Sequence, residues 1–114
     1  MENEKRKNKI LLTGTCACPG EVEGKITKYN PNRVYNKKDV VILNEHMTQD
    51  VMRLKEAGAI LSKNGGLTCH ASILARELNI PCIVGVKGLD NTKENSTVRL
   101  DAAEEIIVID EEEN

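Results

Sequence analysis

Apolar residues in this chain fall mostly into short blocks that polar turns separate. Residues 21–29 alternate apolar and charged positions, which is typical of a strand with one buried face. Residues 40–43 (VVIL) are apolar throughout and rich in β-branched residues, so they predict a strand buried on both faces. Other apolar blocks predict strands at residues 10–13, 59–61, 82–86, 97–101 and 106–110. The pattern therefore predicts a domain rich in short strands.

Two segments have helical spacing instead. Thr48 can cap a short helix over residues 49–58, in which Gly58 is the predicted stop.

Residues 14–20 (GTCACPG) contain Gly and Pro, so we interpret them as a loop.

The second helix follows a glycine-rich turn. Thr68 can cap it, and Pro81 is expected to stop it. Apolar residues repeat on one of its faces: Ala71, Leu74, Ala75 and Leu78. With the strands, these two main helices predict an α/β fold.

The composition fits one domain with an aliphatic core. The chain has 114 residues, with two Tyr and neither Phe nor Trp, so Ile, Val, Leu and Ala must fill the core. Both ends are highly charged, which is typical of frayed termini. We therefore expect a domain at residues 10–110, after a disordered N-terminal extension at residues 1–9 and before an acidic tail at residues 111–114.

Charge and hydropathy limit the classes of partner. The formal net charge is −2 and no face is obviously basic, so we expect no nucleic-acid partner. No apolar run approaches the roughly 20 residues of a membrane span, and no apolar signal-peptide segment follows the N-terminus. We therefore expect a cytoplasmic protein with no membrane partner. In that compartment Cys16, Cys18, Cys69 and Cys82 are reduced thiols.

The most unusual chemistry lies around His70. Gly65 and Gly66 let the backbone approach a bulky charged group without a Cβ clash. His70 falls in the first turn of the predicted helix, where the positive helix end favours a neutral ring and free N–H groups can receive a phosphoryl group. One nitrogen of a neutral ring can attack while the other carries the proton, and Thr68 could orient the ring. From spacing alone, a partly exposed histidine without a chemical role is the simpler interpretation.

Residues 65–85 resemble a longer pattern, the signature of the phosphohistidine swivelling domain. This is the mobile domain of enzymes that use phosphoenolpyruvate, such as pyruvate, water dikinase and pyruvate, phosphate dikinase. The matching residues are Gly65, Gly66, Thr68, Cys69, His70, Ala71, Ile73, Ala75, Arg76, Glu77, Leu78, Ile80, Pro81 and Gly85. Residues 14–26 resemble the family's entry loop, with Cys18 in place of the usual serine. Residues 98–109 resemble its closing hairpin, with Ala102 where glycine is common.

The resemblance implies a compact β/β/α swivelling domain. It implies that His70 accepts a phosphoryl group at one active site and hands it on at a second, distant one. It implies that Thr68 lies near the ring and orients it. The implied phosphate-binding loop comprises Gly65, Gly66, Cys69 and Ala71.

The rest of such a system is absent from the sequence. No Walker-type glycine loop with lysine and no carboxylate cluster for Mg²⁺ are present, so we expect this chain to bind no metal or cofactor itself. The resemblance implies two partners: an ATP-grasp nucleotide-binding domain or subunit, and a (β/α)₈ barrel that binds phosphoenolpyruvate or pyruvate. Mg²⁺ with ATP or phosphoenolpyruvate is expected there. Met1 and the charged ends favour a free-standing carrier over a fragment. Such a carrier would not be a complete enzyme by itself.

Three alternatives remain open. The chain could be a non-catalytic binding or regulatory module on the same fold. It could bind Zn²⁺ through its four cysteines and His70, although C-x-C is not the usual ligand spacing. Cys69, near a helix N-terminus, could be a redox sensor. His46 is interpreted as a solvated loop histidine.

Overall fold

The computed structural model describes residues 6–30, 32–43, 51–66 and 70–113, with the side chains of all except residues 6–8, 51–53, 70, 112 and 113. These ranges contain eight strands and one α-helix: β1 Arg6–Thr13, β2 Thr15–Cys18, β3 Glu21–Lys28, β4 Asp39–Leu43, β5 Ala59–Ser62, α1 His70–Leu78, β6 Cys82–Val84, β7 Thr97–Asp101 and β8 Ile106–Glu113. Short 3₁₀ helices lie at Val51–Glu56 and Leu89–Asn91. The predicted α/β class is confirmed.

The first predicted helix differs from the structure. Residues 49–58 were expected to form one of two main helices, but the described part of this segment is a 3₁₀ helix at Val51–Glu56. The predicted cap Thr48 and the loop residue His46 lie outside the described residues. Gly58 does follow the helix, at a place where a Cβ would lie 2.1 Å from the Lys37 carbonyl oxygen. The close approach of these two backbone segments excludes a larger residue.

The predicted loop at residues 14–20 is wrong, because it contains strand β2. Thr15 lies opposite Val84 and Cys18 opposite Cys82 in an antiparallel ladder with β6, with a register shift between Cys16 and Cys18. The Gly and Pro residues that suggested a turn flank the strand. Its pairing partner lies far away in the sequence, so local composition gives no sign of it.

The two ends of the chain also differ from the prediction. Residues 6–9 and 111–113 were assigned to a disordered extension and an acidic tail, but β1 and β8 pair through them, from Arg6 opposite Glu113 to Lys9 opposite Asp110. The first segment is basic and the second acidic, and cross-strand pairs of opposite charge stabilise a ladder. Lys9 Nζ lies 4.0 Å from Asp110 Oδ1.

The strands form one sheet in the order β1-β8-β7-β3-β4-β5-β6-β2. Strands β3, β4, β5 and β6 run parallel, and the remaining pairs are antiparallel. Gly14 alone separates β1 from β2, which are the two edge strands, so the sheet must fold over to bring its edges together. A Cβ at Gly14 would lie 2.6 Å from the Val84 carbonyl oxygen, so this crossing requires glycine.

Folding the sheet over creates two cores. Val41, Ile60 and Cys82 face the cluster that packs under α1. The alternate residues Val40 and Ile83 face a second cluster, together with side chains from β7 and β8. Each fully buried aliphatic side chain contributes roughly 1.5 to 3 kcal/mol of transfer free energy. Helix, parallel strands and folded-over strands therefore form three layers, as the predicted β/β/α arrangement requires.

The carboxyl ends of the parallel strands β4, β5 and β6 share one edge of the sheet, because parallel neighbours end on the same side. The helix α1 follows β5 and begins at that edge. In the described ranges, no helix combines the length and the apolar character needed to cross a membrane.

Candidate functional site

The site begins where β5 ends, at the buried residue Ser62. Its hydroxyl donates a hydrogen bond of 3.0 Å to the Asn64 carbonyl and accepts one of 3.3 Å from the Asn64 N–H. Its backbone carbonyl accepts a hydrogen bond of 3.0 Å from the Val86 N–H. The last residue of β5 therefore fixes both the following turn and the segment after β6.

The two glycines of the turn have different roles. Gly65 has a φ of 93°, in the left-handed region that favours glycine. Its carbonyl oxygen would lie 3.4 Å from a Cβ at Gly85, which has a positive φ as well. Gly66 is open with respect to the described residues, since an added Cβ would meet none of their atoms within 4 Å. Gly65 therefore shapes the turn, while Gly66 leaves space beside it.

Helix α1 begins at His70 and is held to this turn by Ser72. The Ser72 hydroxyl donates a hydrogen bond of 2.8 Å to the Gly66 carbonyl, and the residue is fully buried. Ala71 is buried too, and the Cys82 thiol donates a long hydrogen bond of 4.0 Å to its carbonyl. The first turn is thus supported from β6 and tied to the glycines. The sequence pattern did not single out Ser72, whose position carries no motif residue.

The other end of α1 also differs from the prediction. Pro81 was expected to stop the helix, but the chain leaves it at Asn79, which has a φ of 58°. The Ile80 N–H then donates a hydrogen bond of 3.0 Å to the Ala75 carbonyl, and the Asn79 N–H one of 3.3 Å to the Arg76 carbonyl. This pair of bonds is a Schellman motif, which satisfies carbonyls at a helix end. Asparagine two residues before a proline is the signal that predicts it.

The structure places the predicted site residues only in part. Gly65, Gly66 and Ala71 lie together at the turn and the first helical turn. Thr68 and Cys69 lie outside the described residues, and His70 is described by its backbone. The capping and ring-orienting roles of Thr68, and the contact made by Cys69, therefore stay predictions.

The start of α1 suits an anion. The first N–H groups of a helix have no partner within it, and the helix dipole places partial positive charge there. The first turn of α1 contains no acidic residue that would repel a phosphate. With the space beside Gly66, the backbone here offers N–H donors to an anion.

Beside this turn lies a cavity of about 340 Å³ that the sequence pattern did not predict. Lys28 ends β3, Leu43 ends β4 and Lys63 follows β5, so three neighbouring strands deliver them to the same edge. The full lining is Lys28, Tyr29, Ile42, Leu43, Lys63, Leu89 and Asp90. Lys63 Nζ forms an ion pair of 2.8 Å with Asp90. Lysines at strand ends are the signal that could have indicated this positively charged edge.

The described cysteines Cys16, Cys18 and Cys82 are reduced and form no disulfide with one another. Burial, and next the charge of Glu105, raise the pKa of the Cys16 thiol, so its reactive thiolate is disfavoured. Among the side chains that the structure describes, no group of three or more His, Cys, Asp or Glu residues could hold a metal ion. The zinc hypothesis and the Cys69 redox hypothesis both depend on side chains beyond that part, and they stay hypotheses.

Comparisons with known proteins agree with this geometry. The family model of the mobile domain of PEP-utilising enzymes matches residues 35–105. A probable phosphoenolpyruvate synthase of Methanothermobacter thermautotrophicus is 34% identical over 104 residues, which are 88% of this chain and 15% of that protein. The phosphoenolpyruvate synthase of Pyrococcus furiosus is 37% identical over 87 residues, 74% of this chain and 11% of that protein. The chain thus spans only a small part of these relatives.

Two solved structures resemble the fold. An Enzyme I structure in solution has a TM-score of 0.56 and 28% identity, over 71% of this chain and 34% of that one. Aconitase X of Thermococcus kodakaraensis has a TM-score of 0.69 but 16% identity, over 88% of this chain and 98% of that one, so it shows the fold alone. With the matched family model and the glycine turn before α1, these relatives establish that the chain belongs to the family of mobile domains of PEP-utilising enzymes.

Proposed function

We propose that this chain is a phosphoryl carrier. His70 accepts a phosphoryl group from a partner that binds ATP or phosphoenolpyruvate, and passes it to a second acceptor. The observation that carries this proposal is the start of α1 at His70, four residues after the unobstructed Gly66, in a chain of the mobile-domain family. A helix start with an unobstructed glycine beside it offers both a nucleophile and backbone donors for phosphate.

The transfer needs a neutral ring. The positive end of α1 disfavours a second proton on His70, so one ring nitrogen stays free to attack the phosphorus. A phosphorus–nitrogen bond forms while the phosphorus–oxygen bond to the leaving group breaks, and the other ring nitrogen keeps its proton. Thr68 orients the ring. N–H groups of the first turn, with Gly66 leaving room, stabilise the charge on the transferred oxygens.

The partners supply what this chain lacks. An ATP-grasp domain or subunit and a (β/α)₈ barrel that binds phosphoenolpyruvate or pyruvate hold the two donor and acceptor sites, together with Mg²⁺. The carrier travels between them, so its rate depends on docking as well as chemistry. Lys28 at the same edge adds a positive charge that attracts anionic donors as the chain approaches, whereas the charge of Lys63 is paired with Asp90.

Chemical phosphorylation tests the nucleophile without a partner. Potassium phosphoramidate should add an acid-labile phosphoryl group to His70 of the wild type, and His70→Ala should lose that group and keep at most the slower labelling of a solvated histidine. The chain has two histidines, so His46→Ala is the matched control and should be labelled like the wild type. Equal labelling of His70→Ala and the wild type would exclude His70 as the acceptor.

Transfer then tests the carrier role. Radiolabelled phosphoenolpyruvate, Mg²⁺ and the barrel protein from the same cells should label the wild type, and excess unlabelled pyruvate should remove the label. A chain that accepts phosphoramidate but is never labelled by either partner would be a non-catalytic module with a reactive histidine.

A further inference from the structure

Cys18 and Cys82 lie directly opposite each other on neighbouring antiparallel strands, β2 and β6. Both are buried, with 6% and 0% of their surfaces exposed, and both belong to the core cluster under α1. Neither residue is in a disulfide in this structure. Two buried thiols on one face of a ladder are therefore neighbours.

The spacing of such a pair matches a disulfide. Residues directly opposite in a regular antiparallel ladder have Cα atoms roughly 4.5 to 5.5 Å apart and side chains on the same face, and Cys18 and Cys82 form such a pair beside the register shift in β2. Disulfides join residues whose Cα atoms are about 4.4 to 6.8 Å apart. Cys18 and Cys82 can thus be bridged without a large movement of the backbone.

We propose that Cys18 and Cys82 form a reversible disulfide, a redox modification site in the core beneath the first turn of α1. Cys16 is not its partner, because Cys16 lies opposite Ile83 and packs against the other core cluster. The pair stands apart from the proposed function of His70.

Access to the pair comes through β2. This strand has four residues, lies at the edge of the sheet and has an irregular register between Cys16 and Cys18. Short edge segments open locally far more often than the whole domain unfolds. Opening of β2 exposes Cys18 first, since Cys82 is on β6, which lies between β2 and β5.

The oxidant is a low-molecular-weight disulfide such as oxidised glutathione. The Cys18 thiolate attacks one of its sulfurs, forming a mixed disulfide and releasing one thiol. The Cys82 thiolate then attacks Cys18 Sγ and releases the second thiol. The protein loses two protons and two electrons, and the oxidant is reduced to two thiols.

The bridge would change the support of the helix. The Cys82 thiol now donates its proton to the Ala71 carbonyl, and a disulfide sulfur has no proton to donate. The bridge would also join β2 to β6, the strand that supports the first turn. Oxidation therefore alters the surroundings of the residue next to His70.

The test uses the full chain and oxidised glutathione. Nonreducing peptide mapping should find one intramolecular Cys18–Cys82 link in the wild type, with a loss of two titratable thiols. The double variant Cys16→Ser, Cys69→Ser retains only the proposed pair, and it should form the same link and melt at a higher temperature when oxidised. Dithiothreitol should reverse both changes.

Two variants test whether misfolding explains the loss of the link. Cys18→Ser and Cys18→Ala should each abolish the link, while thermal melts establish that they fold. A link from Cys82 to Cys16 or Cys69 would overturn the proposal. So would a mixed glutathione adduct that never resolves, or links between two chains, in a folded double variant.

Discussion

The Ser72 hydroxyl donates a hydrogen bond of 2.8 Å to the Gly66 carbonyl, across the turn that leads into α1. Ser72 is fully buried, whereas a side chain at Gly66 would point into open space. One bond therefore joins the core side of the helix to the open side of the site. It fixes the glycine turn relative to the first helical turn, where His70 lies.

Replacing Ser72 should loosen this turn. In Ser72→Ala the Gly66 carbonyl loses its hydrogen-bond donor, so the free energy of unfolding should fall by about 0.5 to 1.5 kcal/mol. Under the proposed function, the rate at which a partner phosphorylates His70 should fall too, because the backbone proposed to bind phosphate is less well positioned. Urea denaturation and partner-dependent labelling measure the two effects. Ser96→Ala, in the turn before β7, is the matched control and should change neither strongly.

The two glycines should respond differently to the same substitution. Gly65 has a φ of 93°, so Gly65→Ala should cost about 1 to 2 kcal/mol of stability. Gly66 has no positive φ and an open neighbourhood, so Gly66→Ala should leave the stability within about 0.5 kcal/mol.

The methyl group of Gly66→Ala should nevertheless slow transfer from a macromolecular partner, on the order of tenfold or more, because it occupies space beside the phosphate. Denaturation midpoints and labelling rates separate the variants. Equal losses of stability in both variants would mean that the left-handed backbone of Gly65 does not account for its need for glycine.

The strands of the sheet show which elements a local sequence pattern can predict. Residues 40–43 were predicted as a strand because an apolar run of that length can only be buried, and β4 contains them. Residues 97–101 coincide with β7. By contrast, Cys16 and Cys18 lie between Gly14 and Pro19, and only their distant partner β6 makes this segment a strand.

In the candidate site, too, a local pattern predicts some residues and misses those whose role depends on distant contacts. Gly65, Gly66 and Ala71 were predicted as phosphate-binding residues because a local motif contains them, and that role stays a prediction. Ser72 was missed because its role depends on burial and on a partner six residues away, which no periodicity encodes. Lys28 and Lys63 were missed because only the parallel pairing of strands brings both to the lining of one cavity.

Alkaline pH should destabilise the domain through Tyr35. Its hydroxyl accepts a hydrogen bond of 2.7 Å from the Asn30 N–H and donates one of 3.1 Å to the Asn30 carbonyl. Burial raises the pKa of Tyr35 above its ordinary value of about 10. Its contribution is therefore complete below about pH 10 and is lost as the pH rises through the raised pKa, since the unfolded chain releases this proton first.

Tyr35→Phe should be less stable by about 1 kcal/mol at neutral pH and should lose stability less steeply above about pH 10. Urea midpoints across that range give the slope. Tyr29→Phe removes a phenol from the same stacked pair, whose ring centroids lie 6.4 Å apart, and serves as the control. A slope that flattens equally in both variants would assign the effect to the pair and not to Tyr35.

The charge of Glu105 should control the reactivity of Cys16. Glu105 Oε2 accepts a hydrogen bond of 2.8 Å from the Cys16 N–H, and its charge adds to burial in raising the pKa of the Cys16 thiol. Glu105→Gln keeps an acceptor oxygen but removes the charge, so the pKa falls and more thiolate forms at a given pH. Iodoacetamide should then alkylate Cys16 about twofold faster or more at mildly alkaline pH. Peptide-resolved mass spectrometry follows Cys16 separately from the other thiols.

Glu104→Gln, an exposed neighbour, should leave the rate near that of the wild type. An unchanged rate in Glu105→Gln would mean that burial alone keeps this thiol protonated.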